Sequence, residues 1–228
     1  MMADERGMQD HTHYHAHGED HVHDHDRTFQ PDIEDSAPGR YELMTYAIRE
    51  LMEEKGHLTA EELRRAQEKL DSWEPSQGAR IVARAWTDPD FRKRLLEDGN
   101  AAMAEFGIEP GGAKMTVVEN TDTVRNVIVC TLCSCYPRAV LGLPPDWYRS
   151  KSYRSRVVIE PRAVLKEFGT EIPADMTVRV HDSLADLRYL VLPRRPAGTE
   201  GWSEERLAAL VTRDCMVGVA DPEVPDTA

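Results

Sequence analysis

Long apolar runs are absent from this chain. No stretch approaches the roughly twenty consecutive hydrophobic residues that a membrane-spanning helix needs, so no membrane association is expected. The N-terminal residues are acidic and histidine-rich, where an export signal would need a basic flank and an apolar core. No such signal is read, and a cytoplasmic location is expected. Positive charge is scarce: 28 Lys and Arg stand against 41 Asp and Glu, a net charge of -13. That argues against a nucleic-acid partner, which would call for a basic face. Only four cysteines occur, and their lopsided spacing does not suit a disulfide framework. Thiols destined for a metal fit a reducing compartment. Outside the first forty residues, only His57 and His181 offer an imidazole.

What is present is a globular composition, 40% hydrophobic and 30% charged, over 228 residues. That length suits one fairly large domain with an appendage, or two small ones. The charge is uneven. Ten acidic residues against three arginines place -7 of the -13 in residues 1–40 and leave -6 for the rest. In that segment His11, His13, His15, His17, His21, His23 and His25 alternate with acidic and small residues, with almost nothing to bury. Residues 1–40 are therefore expected to be a disordered His/Asp-rich tail. Transient binding of divalent metal is one role for it; a solubilising tail without a role is the other.

Leu43, Met44, Ala47, Ile48, Leu51 and Met52 recur at helical spacing, and Gly56 ends the pattern. Thr59 with Glu62 reads as a capping box for a second helix to about Leu70. Residues 41–75 are expected to form a helical arm. Residues 76–220 are expected to form a globular metal-binding domain, and 221–228 a loose tail. Within the domain, helices are predicted over Gly78–Trp86, after Thr87 as cap, and over 101–106. Met115–Glu119 and Val124–Val129 read as strands joined by a turn at Asn120–Thr123. Tyr153–Val158 and Pro161–Phe168 read as short helices, Met176–Val180 and Leu187–Leu192 as strands around a turn at His181. A helix over 204–213 is capped by Ser203. The fold class is mixed α/β.

The second strand delivers Cys130-Thr131-Leu132-Cys133-Ser134-Cys135. An isolated pair of cysteines reads as a redox motif, but three thiolates this close reach a single metal ion. The peptide nitrogens of Ser134 and Cys135 are near enough to join them if deprotonated. A structural zinc site wants a second Cys or His pair, and an iron–sulfur cluster wants four ligands; neither set is completed here, because Cys215 is alone. A buried cluster packing as small hydrophobes is disfavoured by polar Thr131 and Ser134.

The run Val129 to Pro137, Val-Cys-Thr-Leu-Cys-Ser-Cys-Tyr-Pro, resembles the metal-binding motif of nitrile hydratase alpha subunits and of the related thiocyanate hydrolase gamma subunit. The resemblance spans about residues 41–221. It takes in Ala85-Trp86-Thr87-Asp88-Pro89, Val118-Glu119-Asn120-Thr121, Gly142-Leu143-Pro144-Pro145, Trp147-Tyr148, Arg154-Ser155-Arg156, Arg195 to Thr199 and Thr212-Arg213-Asp214. Thr131 after the first cysteine resembles the cobalt branch rather than the iron branch. The resemblance implies a helical arm and a layered α-β-β-α domain. It implies sulfur ligands from Cys130, Cys133 and Cys135, and equatorial nitrogens from Ser134 and Cys135. The ion would be one low-spin Co(III) per chain, with one position open. It further implies Cys133 as sulfinic acid, Cys135 as sulfenic acid, and hydration of a nitrile to its amide with Cys135 and Cys133 as catalytic residues. The partner implied is a beta subunit, in an αβ or α2β2 assembly, whose arginines hold the oxidised sulfurs. An activator or metallochaperone would load the cobalt.

One departure stands out. Nitrile hydratases commonly carry Trp-Pro after Tyr136-Pro137, whereas this chain has Arg138-Ala139. An arginine beside the pocket favours an anion by charge complementarity, which makes thiocyanate hydrolase gamma subunit the alternative, converting thiocyanate to carbonyl sulfide and ammonia. A third reading, of another class, is a non-catalytic carrier that passes on cobalt or nickel.

Overall fold

A computed structural model of the chain describes residues 39–225. The expected His/Asp-rich tail therefore lies almost wholly outside the described residues, as do residues 226–228. Two compact units divide at Thr59. In the first, α1 (Arg40–Glu54) matches the helical spacing of its sequence, but none of its residues is buried. Leu43, Met44, Ile48 and Leu51 are all exposed.

The second unit begins with α2 (Ala60–Asp71), whose few apolar residues leave it without a buried position. Next comes α3 (Pro75–Thr87), with Pro75 in the first turn, where its missing N–H costs nothing. Its Ile81, Val82 and Ala85 enter the core. α4 (Pro89–Glu97) is capped by Asp88, not Thr87: the Asp88 carboxylate accepts from the N–H groups of Asp90 and Phe91. Thr87 is instead the last residue of α3, its hydroxyl turned back on the Ala83 and Arg84 carbonyls. Phe91 and Leu95 point inward, while Leu96 is exposed. α5 (Gly99–Ala104) follows, capped by Asp98.

The four predicted strands exist: β1 (Lys114–Glu119), β2 (Val124–Val129), β3 (Thr177–Asp182) and β4 (Leu187–Leu192). Their partners are not their sequence neighbours. β1 pairs in parallel with β4, from Lys114 opposite Leu187 to Glu119 opposite Leu192. β2 pairs in parallel with β3, from Val124 opposite Thr177 to Val129 opposite Asp182. The Asn120–Thr123 link thus carries the chain from one sheet to the other rather than closing a hairpin. Parallel pairing requires long crossovers and strands covered on both faces, and β2 is buried along nearly its whole length. His181 is no turn residue: it lies inside β3, half-buried, its Nε2 2.8 Å from the Asn126 Oδ1 of β2.

α4 and α5 pack on β1, and α9 (Pro161–Glu167) packs on β3. The two sheets meet through β2 and β4. The result is helices outside and strands inside, the layered mixed α/β arrangement expected. Short helices missed in the sequence fill the crossovers: α6 (Arg138–Leu141) and α7 (Asp146–Arg149), before α8 (Lys151–Ile159). The predicted 204–213 helix is two pieces. Ser203 caps α10 (Glu204–Ala208), and Thr212 caps α11 (Arg213–Val217), which packs on β4. Among the described residues, no helix is long and apolar enough to cross a membrane.

Candidate metal centre

β2 ends at Val129 as its ladder to β3 runs out, and the next residue is Cys130. Two contacts from the end of β3 fix that exit. The Ser183 N–H donates to the Val129 carbonyl at 2.7 Å. The Asp182 carboxylate then takes both Thr131 donors, the N–H at 2.9 Å and the hydroxyl at 2.6 Å. A segment thirteen to twenty-five residues downstream of the groups it binds supplies three more clamps. Tyr153 of α8 donates its hydroxyl to the Ile128 carbonyl at 2.8 Å, and Tyr148 of α7 donates to the Cys135 carbonyl at 2.9 Å. Arg154 reaches the Thr131 carbonyl at 3.3 Å. The two tyrosines are buried and join Tyr136, Trp147 and Phe168 in a cluster of edge-to-face rings. Such pairs fix ring orientation as well as bury area, so the loop hangs from a rigid support.

The loop so held brings three sulfurs together. Cys130 Sγ lies 3.4 Å from Cys133 Sγ, which lies 3.3 Å from Cys135 Sγ. All three ligand atoms fall within 4.8 Å of one another. None is in a disulfide; Cys130 is buried, Cys133 exposed and Cys135 half-buried. Cys215 is the fourth cysteine, buried away from this group and bonded to its own cap, Thr212, at 3.1 Å.

The thiols do not titrate alike. Cys133 is lowered to about 7, chiefly because the Cys135 and Cys130 thiols donate to it, helped by the Ser134 N–H. Cys135 is pushed up to about 12, first by burial, then by its bond to Cys133; only the Arg188 cation opposes this. A thiolate at Cys133 is thus shared inward with the neighbouring sulfurs. A cation at the centre would replace those protons, because three thiolates 3 to 5 Å apart need positive charge to coexist. Soft donors this close suit a transition metal, and the sulfur set fits one ion. Among the described residues no fourth Cys or His joins the group, which leaves that donor set short of a closed structural zinc site.

A cavity of about 390 Å³ opens over the loop. Its lining includes Cys133, Ser134, Cys135, Arg138 and Arg188, with Trp73 on the apolar side. Arg138, at the start of α6, is exposed and makes no side-chain ion pair among the described residues. Sequence reasoning overlooked Arg188, which enters from β4, 53 residues beyond Cys135. It also overlooked Asp182 and assigned no role to Tyr148 or Tyr153, although the Trp147-Tyr148 pair was in view as a family segment. Arg154 lands on the loop. Arg156 instead binds Glu160 and Glu167 on the surface. His181 faces Asn126 and Tyr189, not the sulfurs.

Comparison with known proteins completes the description. The family model for the nitrile hydratase alpha chain matches residues 39–220. The cobalt-containing nitrile hydratase subunit alpha of Pseudonocardia thermophila is 53% identical over 176 residues, covering 76% of this chain and 86% of that protein. Thiocyanate hydrolase subunit gamma of Thiobacillus thioparus is 44% identical over 195 residues, 80% of each chain. Among solved structures, a double mutant of the Fe-type nitrile hydratase from Comamonas testosteroni Ni1 superposes with a TM-score of 0.72 at 43% identity, covering 85% of this chain and 95% of that one.

Proposed function

The chain belongs to the nitrile hydratase alpha-chain family, and from that premise we propose that it is the metal-holding subunit of a hydro-lyase converting a nitrile to its amide. The observation that carries this reading is the three-sulfur group facing an open cavity. Cys130, Cys133 and Cys135 would hold the ion through sulfur, with the peptide nitrogens of Ser134 and Cys135 completing the set. Cobalt is favoured over iron because the cobalt-containing alpha subunit of Pseudonocardia thermophila is 53% identical. Held as Co(III), it would supply Lewis acidity toward a small molecule without changing oxidation state.

The chain's own residues do the rest. Asp182, Tyr148, Tyr153 and Arg154 keep the loop in one geometry. Trp73 and Met115 offer an apolar wall to the hydrocarbon part of a nitrile. With dioxygen as the oxidant and oxygen source, Cys133 would be carried to the sulfinic acid and Cys135 to the sulfenic acid, both accessible stages of thiolate oxidation. The Cys135 oxygen would then act as nucleophile at the nitrile carbon or as base toward water. A beta subunit would close the cavity and contribute arginines to the oxidised sulfurs, in the cytoplasm, after an activator has loaded the metal. The relatives' names, each a subunit, support a partner.

A second reading, thiocyanate hydrolase, is favoured by one observation: Arg138 lines the cavity with its guanidinium unpaired among the described residues. A cobalt or nickel carrier is the third. Co-purification with a beta-type partner, followed by metal analysis and parallel nitrile and thiocyanate assays, separates them. The hydratase reading expects one retained cobalt, a mass gain of two oxygens on Cys133 and one on Cys135, and amide formation. Faster thiocyanate turnover would reverse the ranking. Ready release of the metal to a chelator, with no turnover, would leave the carrier.

A further inference from the structure

β3 is out of place for a parallel strand. Parallel strands are normally covered on both faces. Its ladder partner β2 is buried along nearly its whole length, yet none of the six residues of β3 is fully buried. Bonds at its two ends set which way its backbone points. The Thr177 N–H donates to the Thr123 carbonyl at 2.8 Å, and the Ser183 N–H to the Val129 carbonyl at 2.7 Å. A parallel ladder uses every second residue of a strand, so Thr177, Arg179, His181 and Ser183 turn their N–H and C=O groups to β2. Val178, Val180 and Asp182 turn theirs the other way. Among the described residues, neither backbone nor side chain meets those groups. Other strand edges are closed. On β2 the Asn126 N–H goes to the Asn120 side chain and the Ile128 carbonyl takes the Tyr153 hydroxyl; on β1 the Met115 N–H goes to the Asn100 side chain. An open row of backbone donors and acceptors is a template for another strand unless it is blocked. β3 has no proline, no lysine and no bulge in its register. Its one cation, Arg179, stands on a face of the sheet rather than at the edge, exposed and without an ion pair among the described residues. The far end of the edge reaches the metal centre. There Asp182 holds Thr131, and the residues that follow in each segment include the exposed Leu132 and Leu184.

We propose that an extended segment of the beta-type partner adds to the open edge of β3, pairing with Val178, Val180 and Asp182 and so lengthening the β2–β3 sheet by a strand. The proposal rests on the partner chain invoked above and adds how it docks. The edge also sets the chemistry of the segment. Main-chain hydrogen bonds hold it, a carboxylate answers the unpaired Arg179, and an apolar side chain meets Leu132 and Leu184 at the end beside the cysteine loop. Because the added strand passes Asp182, assembly braces the contact that positions Thr131.

The test is amide hydrogen exchange, resolved by residue, on the full chain alone and co-purified with the beta-type subunit. Alone, the Val178, Val180 and Asp182 amides exchange quickly, while those of Arg179 and His181, bonded to β2, are protected. In the assembly the first three slow by about tenfold or more. Val180→Pro is the matching variant. It removes an N–H that the fold does not use, at an edge position where proline is tolerated, so the chain folds but its affinity for the partner falls about tenfold. Val180→Ala removes side chain but keeps the N–H, and retains most of the affinity. Arg179→Glu weakens assembly too, and less at high salt. Protection of the three amides already in the chain alone, assembly without slowed exchange, or full affinity in Val180→Pro overturns the docking mode and leaves the hydratase reading intact. Slowed exchange in a complex that turns over neither nitrile nor thiocyanate removes the hydratase reading and leaves the docking mode. A chain that takes up no beta-type subunit overturns both.

Discussion

Replacing Asp182 with Ala tests whether the loop is held as described. The carboxylate accepts two hydrogen bonds from Thr131, at 2.9 and 2.6 Å. Bonds to an ionised acceptor contribute about 1.5–3 kcal/mol each when shielded. Both residues are exposed, so water competes, and about 1 kcal/mol each is the appropriate figure. Losing both therefore shifts the loop by about 2 kcal/mol toward conformations in which Thr131 leaves the end of β3. If only the latched loop binds metal well, apparent affinity falls by the same factor, at most about 30-fold. Thr131→Val removes only the hydroxyl bond and should cost about fivefold by the same arithmetic. The assay is Co(II) binding to the reduced chain under anaerobic conditions, in competition with a chromophoric chelator, with circular dichroism confirming the fold. The double variant should be no worse than Asp182→Ala alone, since the two partners share one interaction. Unchanged affinity in both single variants would refute the latch.

Three further outcomes follow from the same structure. Tyr148→Phe removes the 2.9 Å bond to the Cys135 carbonyl from a buried ring, and should cost about 1 kcal/mol in thermal unfolding together with a measurable loss of metal loading; loss of stability alone would place Tyr148 outside the site. Gly218→Ala should cost 3 kcal/mol or more, roughly summing the left-handed conformation and the clash: Gly218 has φ +94°, and a Cβ there would lie 2.1 Å from the Asn126 carbonyl oxygen of β2. Soluble protein with an unchanged Tm would refute it. In the metal-free chain, iodoacetamide should label Cys133 first. Its thiol is exposed and lowered to about 7, so the thiolate fraction, and the rate, rise with pH through that value. Buried Cys215, whose thiol is raised, should react last; equal labelling of both would contradict the assignment.

Local chemistry was legible wherever neighbours in the chain decide it. Three cysteines in six residues must come near one another whatever the fold, and β-branched runs make strands in almost any context. Cap positions were harder. Thr87 and Asp88 are both competent caps, and the choice fell to Asp88 because its carboxylate reaches two N–H groups of α4. The 204–213 stretch reads as one helix by its apolar spacing. Residues 209–212 nonetheless turn out of it, and Thr212 restarts the chain as α11, which packs on β4.

The sequence by itself determined the strand segments and the grouping of three cysteines, and it placed Arg138 close to their loop. Only the tertiary structure decided what surrounds them. Periodicity says which face of a strand is buried but nothing about which strand lies beside it, and parallel pairing joins segments tens of residues apart. Pairing β2 with β3 put Asp182 against Thr131, and bringing β4 alongside β1 put Arg188 on the wall of the cavity that Cys135 also lines. The two pairs of residues lie 51 and 53 positions apart in sequence, and no local signal marks them.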